Sequence, residues 1–496
     1  MNSKEKLGEL YTTTFGSAPA AVTPLAGAGS ARRYFRITPA DKSLPTVIGT
    51  AGTNLSENVA FTTLARHFAT KKLPTPRIVA ESSDRMLYLQ EDLGDISLFE
   101  AIKEGRTTGR FTTHETGLLE KTIRMMAGIQ HLGADGIDWR VCFPQEAMDS
   151  RMIRWDLDYF KYCFLKASGI EFSEIKLEDE FSRLHDMLAA RAASANEFMA
   201  RDFQSRNIML NSGKPFLIDF QGGRRGPVEY DVASFLWQAK AAIPAELRQH
   251  LIKVYLDEAQ KINPDFDEDA FLKSLPRMVL FRMLQTLGAY GLRGITEHKP
   301  HFLASIPAAL HNIRCHLQST GLCTEFPYLT QVVTDASATN IARDMAMLTQ
   351  VPPFTGLTVT VCSFSYKKGV PPDISGNGGG FVFDCRAIHN PGRYEPYKNL
   401  TGRDAAVKTF LEEDGEIFSF LHNAWELTDA SVNRYLNRGF NSLCINFGCT
   451  GGQHRSVYSA EATAHHMAQT FPHARIVLWH REQNLLEIIE PSAHPQ

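Results

Sequence analysis

The sequence predicts two folding units: a two-lobed α+β unit, with a small β-rich lobe before a mostly helical one, and then a separate layered α/β unit. Three observations carry this expectation. The chain has 496 residues, several times the roughly 100–150 residues of a usual domain, so more than one core is expected. Between residues 20 and 93 short β-rich runs dominate, and from Ile96 onward the apolar periodicity is helical. After Gly356 strands and helices alternate, the order of a layered α/β domain.

In the small lobe, Arg32 to Ile37, Thr46 to Gly49 and Arg85 to Glu91 read as strands around one helix, Glu57 to Ala69. That helix places Val59, Ala60, Phe61, Leu64, Ala65 and Phe68 at helical spacing. The second lobe shows helical runs at Leu118 to Leu132, Met152 to Leu165 and Phe181 to Ala193. A β-hairpin interrupts it at 207–220, turning at Asn211-Ser212-Gly213, and helices resume from Val232 to about Leu317. Turn residues, one helical segment at Ile341 to Leu348 and then Pro352-Pro353 set a linker at 336–355. This gives a first unit at 1–335, with lobes at about 1–93 and 96–335, and a second at 356–496. In the second unit, strands at Leu357 to Tyr366, Gly380 to Ile388, Ser442 to Gly448 and Arg475 to Arg481 alternate with helices. Those helices fall at Ala405 to Phe420, Ala430 to Leu436 and Val457 to Gln469, and Ser375 to Gly380 is a flexible loop.

Bulk composition excludes several classes. Hydrophobic residues at 43% and charged residues at 22% are those of a globular chain rather than a disordered one. The 52 basic and 55 acidic residues leave a formal charge of −3, which points to neither nucleic acid nor membrane. Eight cysteines without a C-x-x-C pair disfavour a zinc site and a disulfide framework and fit a reducing cytoplasm. No leader or membrane span is expected.

The chemistry concentrates in Arg201-Asp202-Phe203-Gln204-Ser205-Arg206-Asn207 and in Asp219-Phe220-Gln221-Gly222. Phosphoryl transfer needs a carboxylate near the acceptor hydroxyl and oxygen ligands for the metal ions that bridge the phosphates. One hairpin supplies all three: Asp202 on the loop before it, Asn207 opening its first strand and Asp219 ending its second. R-D-x₄-N is the spacing of a kinase catalytic loop, and D-F-Q-G stands where D-F-G would. Alone, Asp202 and Asn207 would serve equally well as turn or cap residues. Gly27-Ala28-Gly29-Ser30 reads by itself as a tight turn, and only its context raises a phosphate-covering role.

These strings resemble the aminoglycoside-phosphotransferase and choline-kinase superfamily, whose fold is protein-kinase-like. Within it the chain looks most like the anomeric N-acetylmuramate/N-acetylglucosamine kinases (AmgK). The likeness runs through Ser30 to Arg36, Gln90 to Asp95, Arg201-Asp202 with Ser205 to Asn207, and Asp219 to Gly222 on to Tyr230-Asp231. It implies ATP and Mg²⁺ as cofactors and Asp202 as the base or orienting carboxylate. It makes Asn207 and Asp219 the Mg²⁺ ligands, and it places Gly27, Gly29, Ser30, Gln90, Glu91 and Leu93 around the nucleotide. Asp231 would brace the catalytic loop, a role compatible with capping the helix from Val232. The reaction implied is phosphorylation of an amino sugar at its anomeric hydroxyl, in cell-wall sugar recycling. Two departures stand out. Ala200 occupies the usual histidine position, and Thr46-Val47-Ile48-Gly49 lacks the phosphate-binding lysine, for which Arg33 or Arg36 is the expected substitute. For the sugar, Arg154 and Asp156 lie on an aromatic and acidic helix that suits stacking on a pyranose or simple core packing. Arg206 and Arg224 lie beside the catalytic motifs and suit a carboxylate.

In the second unit, Cys449-Thr450-Gly451-Gly452-Gln453-His454-Arg455-Ser456 lies between a strand and a helix. Its glycines let backbone N–H groups converge at a helix N-terminus, so an anion site with Arg455 as a positive fork is expected. The spacing also satisfies C-x₅-R, that of cysteine-dependent phosphatases. With Ser363 to Lys367, Phe383 to Arg386, Leu400 to Gly402 and His480-Arg481, the stretch resembles the C-terminal domain of RapZ. That resemblance implies a sugar-phosphate or UDP-sugar pocket, and in full-length relatives an RNA-binding adaptor role. From Gly356 to Gln496 there are 12 Lys and Arg against 14 Asp and Glu, a balance that disfavours RNA. The rival to an active enzyme is a degenerate kinase serving as a regulatory or RNA-binding adaptor that responds to amino sugars.

Overall fold

A computed structural model describes residues 2–25, 32–373, 375, 379–413 and 415–492. Its contacts divide the chain into one unit of Met1–Tyr159, Ser173–Thr286 and Asn312–Thr330, and a second of Phe160–Phe172, Leu287–His311 and Gln331–Gln496.

The first unit begins with a helix the apolar pattern does not announce, α1 (Ser3–Phe15), which buries only Leu7 and Tyr11. Asn2 and Glu5 close it with a capping box that satisfies orphan N–H groups of its first turn. Five antiparallel strands follow: β1 (Pro19–Pro24), β2 (Arg33–Pro39), β3 (Val47–Ala51), β4 (Ile78–Glu81) and β5 (Leu87–Glu91), in the order β1-β2-β3-β5-β4. Side chains of a strand alternate between faces. Phe35, Ile37, Val47, Ala51 and Leu89 therefore share one face with Leu7 and Tyr11 of α1. The alternate residues, Tyr34, Thr50 and Tyr88, lie on the other face, in register across β2, β3 and β5.

Helix α2 (Leu55–Thr70), capped by Asn54, brings Phe61 and Phe68 to Phe220, with ring centroids 4.7 and 5.4 Å away, and stacks Phe61 on Tyr88 at 5.3 Å. The residue after Asp219 thus joins the aromatic core. In the rest of the unit, the helices Thr113–Ala134 and Glu174–Ala193 cover two of the runs read as helical, Ser150–Tyr159 covers the first part of the run Met152 to Leu165, which continues as a π-helix at Phe160–Lys166, and Ala245–Ile262 falls within the run from Val232. Between them β7 (Ile208–Asn211) pairs with β8 (Lys214–Leu217) around a turn in which Ser212 and Gly213 have φ of 51° and 72°. These are the left-handed values of a two-residue hairpin turn, which explains the glycine. A shorter pair, β6 (Phe198–Met199) and β9 (Arg224–Arg225), closes the same region.

The second unit holds a sheet ordered β11-β12-β10-β13-β14, from β10 (Thr358–Ser365), β11 (Phe381–Asp384), β12 (Ser442–Cys449), β13 (Arg475–His480) and β14 (Leu485–Ile489). All neighbours are parallel except β13 and β14. β10 and β12 are buried along nearly their whole length, the reason they read as unbroken apolar runs. The expected helix Ala405 to Phe420 is broken: one helix ends at Glu412, and another, Glu416–Arg438, starts after Gly415 with its left-handed φ of 75° and runs on through the expected Ala430 to Leu436. β14 occupies the acidic tail and pairs at the sheet edge, where one face can carry Glu487.

Replacing Phe220 by Ala should cost about 3–5 kcal/mol, the usual penalty for emptying a fully buried aromatic site. Denaturant unfolding followed by fluorescence measures it, and Phe220→Leu should lose markedly less.

Candidate active site

The register Ile208↔Leu217 sets Asn207 opposite Ile218, whose N–H donates to the Asn207 carbonyl at 2.9 Å. Asp219 is the next residue, so the hairpin brings the amide and the carboxylate to the same end. Asn207 Nδ2 donates to the Asp202 carbonyl at 3.0 Å, tying the loop's first acid to the same place. Asp219 has φ of 61° and Arg201 φ of 71°, left-handed values that cost a non-glycine residue energy and cluster at functional sites.

What holds Arg201 in that conformation is Asp231. One of its carboxylate oxygens accepts the Ala200 N–H at 2.7 Å and the Gln130 amide at 3.2 Å, and the other accepts the Arg201 N–H at 2.9 Å. Asp231 is not the helix cap that its place before Val232 also allowed. It lies inside the helix Glu229–Leu236, whose cap position is Val228, and its side chain points to the loop because those two N–H groups need a partner. Burial pushes its carboxyl from the ordinary 3.8 up to about 7, against the lowering effect of these hydrogen bonds.

Asp202 is open to solvent, with its side chain 54% exposed and Arg282 Nη2 at 3.7 Å. Arg282 had no motif to mark it, although it is a lone charge within Met278-Val279-Leu280-Phe281-Arg282-Met283-Leu284. Its Nε donates to Ser234 Oγ at 2.6 Å, and Ser234 donates to the Arg201 carbonyl, so this cation braces the loop and faces its acid. Burial pushes the Asp219 carboxyl up, while the Gln221 amide, donating at 2.7 Å, pulls it down.

Of the residues expected on the sugar, Asp156 comes to the catalytic loop, with Arg201 Nη2 3.4 Å from its carboxylate. Arg154 does not; it pairs with Asp158 at 3.2 Å and with Glu178, fastening one helix to the next. Arg224 is fully buried and donates to the carbonyls of Gly222 and Phe143, so it organises the chain beneath the loop rather than presenting charge. Burial and the nearby Arg201 lower it to about 10. Arg206 is exposed and lies over the Phe99 ring at 4.3 Å.

The expected phosphate cations also go elsewhere. Arg36 donates to Asp92 at 2.7 Å and to Asp95 at 2.6 Å, joining β2 to the segment after β5. Arg33 lies on the α1 face and bonds Ser3. Gln90 is buried at the end of β5, Glu91 pairs with Arg77 and Leu93 is buried, while Gly27, Gly29 and Ser30 lie outside the described residues.

In the second unit the signature loop is braced by its own side chains. Gln453 donates to the carbonyls of Lys398 and Leu400, and His454 Nε2 meets that of Tyr397 at 2.8 Å. Arg455 is not the expected anion fork: its Nη1 donates to the carbonyls of Arg386 and Ile388 at 2.9 and 2.8 Å. Gly402 lets the neighbouring chain approach, since a Cβ there would sit 2.2 Å from the His454 carbonyl oxygen. Cys449 accepts the Gly452 N–H at 3.2 Å and lies 3.1 Å from Ser456 Oγ. Burial pushes its thiol up, but these bonds and the Gln453 N–H outweigh it and bring the thiol below its ordinary value. Thr450 and Gly451 are exposed at the tip.

Among the described residues no cluster of three or more His, Cys, Asp or Glu forms a metal site, and no helix is long and apolar enough to cross a membrane. Comparison with known proteins matches residues 21–272 to the phosphotransferase enzyme family and residues 357–484 to the RapZ C-terminal domain. A nucleotide-binding protein of Cereibacter sphaeroides is 44% identical over 115 residues, 23% of this chain and 36% of the relative. One of Xanthomonas campestris is 39% identical over 123 residues, 25% of this chain and 41% of the relative. The chain thus spans about two fifths of these relatives' length. Among solved structures, a choline kinase of Cryptosporidium parvum aligns over 63% of this chain and 93% of its own, at 14% identity and a TM-score of 0.42.

Asp231→Asn should leave one of the two loop N–H groups without an acceptor, at a cost of about 1–3 kcal/mol. Folded Asp231 keeps its proton up to about pH 7, whereas the unfolded chain releases it near 3.8. Its contribution to stability is therefore complete below the lower value and is lost as pH rises through the upper one. Subtracting the variant's unfolding free energy from the wild type's between pH 3.5 and 8, about the window those two values span, should expose that falling component.

Proposed function

We propose that this chain, which belongs to the phosphotransferase enzyme family and ends in a RapZ C-terminal domain, transfers the γ-phosphoryl group of ATP to a hydroxyl of an amino sugar. The observation that carries this reading is the meeting of Asp202, Asn207 and Asp219 at one end of the hairpin, with the loop fixed by Asp231. An amide and a carboxylate oxygen are hard ligands of the type Mg²⁺ takes, so Asn207 and Asp219 suit it. When bound there, the ion would offset the charge of the phosphate oxygens. Asp202, exposed and beside Arg282, suits the role of accepting the proton of the attacking hydroxyl. Asp156, paired with Arg201 of the same loop, offers polar groups to that acceptor.

The finer assignment is the anomeric hydroxyl of N-acetylmuramate or N-acetylglucosamine. The sequence likeness to the anomeric sugar kinases supports it, as do the cations Arg201 and Arg282 beside the acid, which suit an acceptor carrying a carboxylate. In this reading residues 1–335 form the kinase and 356–496 a sensor for a sugar phosphate or nucleotide sugar. Arg455 serves the shape of the sensor's loop, and the exposed backbone of Thr450 and Gly451 faces the ligand.

The test is purified full-length chain with Mg·ATP and a panel of free amino sugars, the position of the phosphate ester being read by NMR. Transfer to the anomeric oxygen is expected, and Asp202→Asn should lower kcat by about 10²–10⁴ with the ATP Kd little changed. Bound ATP without transfer to any sugar would favour the rival, a degenerate kinase acting as an adaptor.

A further inference from the structure

Two cysteines of the second unit stand side by side beneath the signature loop. β11 and β12 run parallel with Phe383 opposite Phe447 and Asp384 opposite Gly448, so the residues that follow, Cys385 and Cys449, are neighbours across the sheet. Paired residues send their side chains to the same face. The helix Arg455–Thr470 covers that face: the Cys385 thiol lies 3.7 Å from Ser459 Oγ and the Cys449 thiol 3.1 Å from Ser456 Oγ, hydroxyls one helical turn apart. Cys385 is fully buried, Cys449 is 3% exposed, and both belong to one apolar cluster. Adjacent strands lie about 4.8 Å apart, within the roughly 4.4–6.8 Å over which a disulfide joins two Cα atoms. Cys362 and Cys444 form no such pair. Cys444 stands opposite Thr360 and Cys362 opposite Asn446, two residues out of step. That offset separates their Cα atoms by about 8 Å, more than the roughly 7 Å a bridge can span.

The two neighbouring thiols are chemically unlike. At Cys449 the cost of burial is outweighed by the Ser456 hydroxyl and the Gln453 and Gly452 N–H groups, which favour the thiolate. Burial pushes the Cys385 thiol up to about 12, so it stays protonated. A thiolate is the form a peroxide oxidises, and a second thiol within reach resolves the sulfenic acid that results. The exposed Thr450 and Gly451, which follow Cys449, give a small oxidant its approach. We propose that Cys385 and Cys449 are a modification site, a dithiol that hydrogen peroxide converts reversibly to a disulfide. The Cys449 sulfur attacks one peroxide oxygen, the O–O bond breaks, and the departing hydroxide takes a proton to become water. The Cys385 sulfur then attacks the sulfenic sulfur; the S–S bond forms, the S–O bond breaks, and the hydroxyl leaves as water with the Cys385 proton. Two thiols and one peroxide thus give one disulfide and two waters. A Cα separation near the short end of the range strains the bond, which keeps it easy to reduce. Once bridged, the Cys449 sulfur no longer accepts from Gly452 and Ser456, so oxidation releases the first turn of the signature loop.

The experiment treats the full-length chain with stepwise hydrogen peroxide, blocks the remaining thiols by alkylation in denaturant and maps the cysteines by peptide mass spectrometry, with and without dithiothreitol. Wild type should lose the Cys385 and Cys449 thiols together and yield a peptide pair linked through them, which dithiothreitol separates, while Cys362 and Cys444 stay reduced. Cys385→Ala should stop at a Cys449 sulfenic acid that dimedone traps, and Cys449→Ala should leave Cys385 reduced. The proposal falls if the exposed Cys315 oxidises fully and no linked peptide appears. It falls also if Cys449→Ala leaves the loss of the Cys385 thiol unchanged, or if Cys449 reaches sulfinic acid as readily in wild type as in Cys385→Ala, since no resolving thiol then acts. Should an alanine variant not fold, the wild-type map decides alone: a linked pair that dithiothreitol separates supports the proposal, and its absence overturns it.

Discussion

The two oxygens of Asp231 accept the N–H groups of Ala200 and Arg201, and this contact sets the position of everything that follows in the loop. Arg201 takes a left-handed backbone there, which lets the chain turn sharply, place Asp202 in solvent and enter the hairpin at Asn207. Such a conformation persists only where its surroundings over-determine it. They do: Asp231 holds the N–H groups, Ser234 holds the Arg201 carbonyl, and Gln130 and Arg282 hold Asp231 and Ser234 in turn. At Ala200 the anchoring bond is made by the backbone N–H, so it does not depend on the side chain of that residue.

Much of this was legible from spacing. R-D-x₄-N and D-F-Q-G bracket a hairpin whose turn residues fix its register, and a known register settles which ends meet. The strands of the second unit were equally plain, since runs such as Val359 to Phe364 have no polar face to hide. What stayed hidden has physical reasons. α1 buries two residues, too few for a periodic signal, and Glu487 in β14 masks an edge strand as an acidic tail. Arg282 reaches the loop from a helix far along the chain, and no local pattern encodes that distance.

The arginines between positions 32 and 36 illustrate the limit most sharply. Arg32, Arg33 and Arg36 are equivalent as letters, yet a strand sends neighbours to opposite faces, and a shift of one residue exchanges cleft for core. Arg33 therefore meets the first helix, Arg36 braces the chain beyond β5, and Arg32 is left at the carboxylate of Asp219. The same lesson applies to Arg455. A guanidinium in a glycine-rich loop reads as an anion clamp, but this one turns its Nη1 to the carbonyls of Arg386 and Ile388.

β3 carries no lysine, and the buried positive charge on its inner face is Arg32, from the start of β2. Glu57 and Asp219 place two carboxylates around the buried cation Arg32, on the face where β3 offers Ile48 and Thr50 and no cation. A buried charge is costly unless paired, and Glu57 supplies that pairing for Arg32. The guanidinium is retained in the interior, oriented between the α2 acid and the acid that ends the hairpin, while the phenyl ring next to Asp219 is locked against Phe61 and Phe68. Charge, backbone conformation and aromatic packing thus converge on a single carboxylate, that of Asp219.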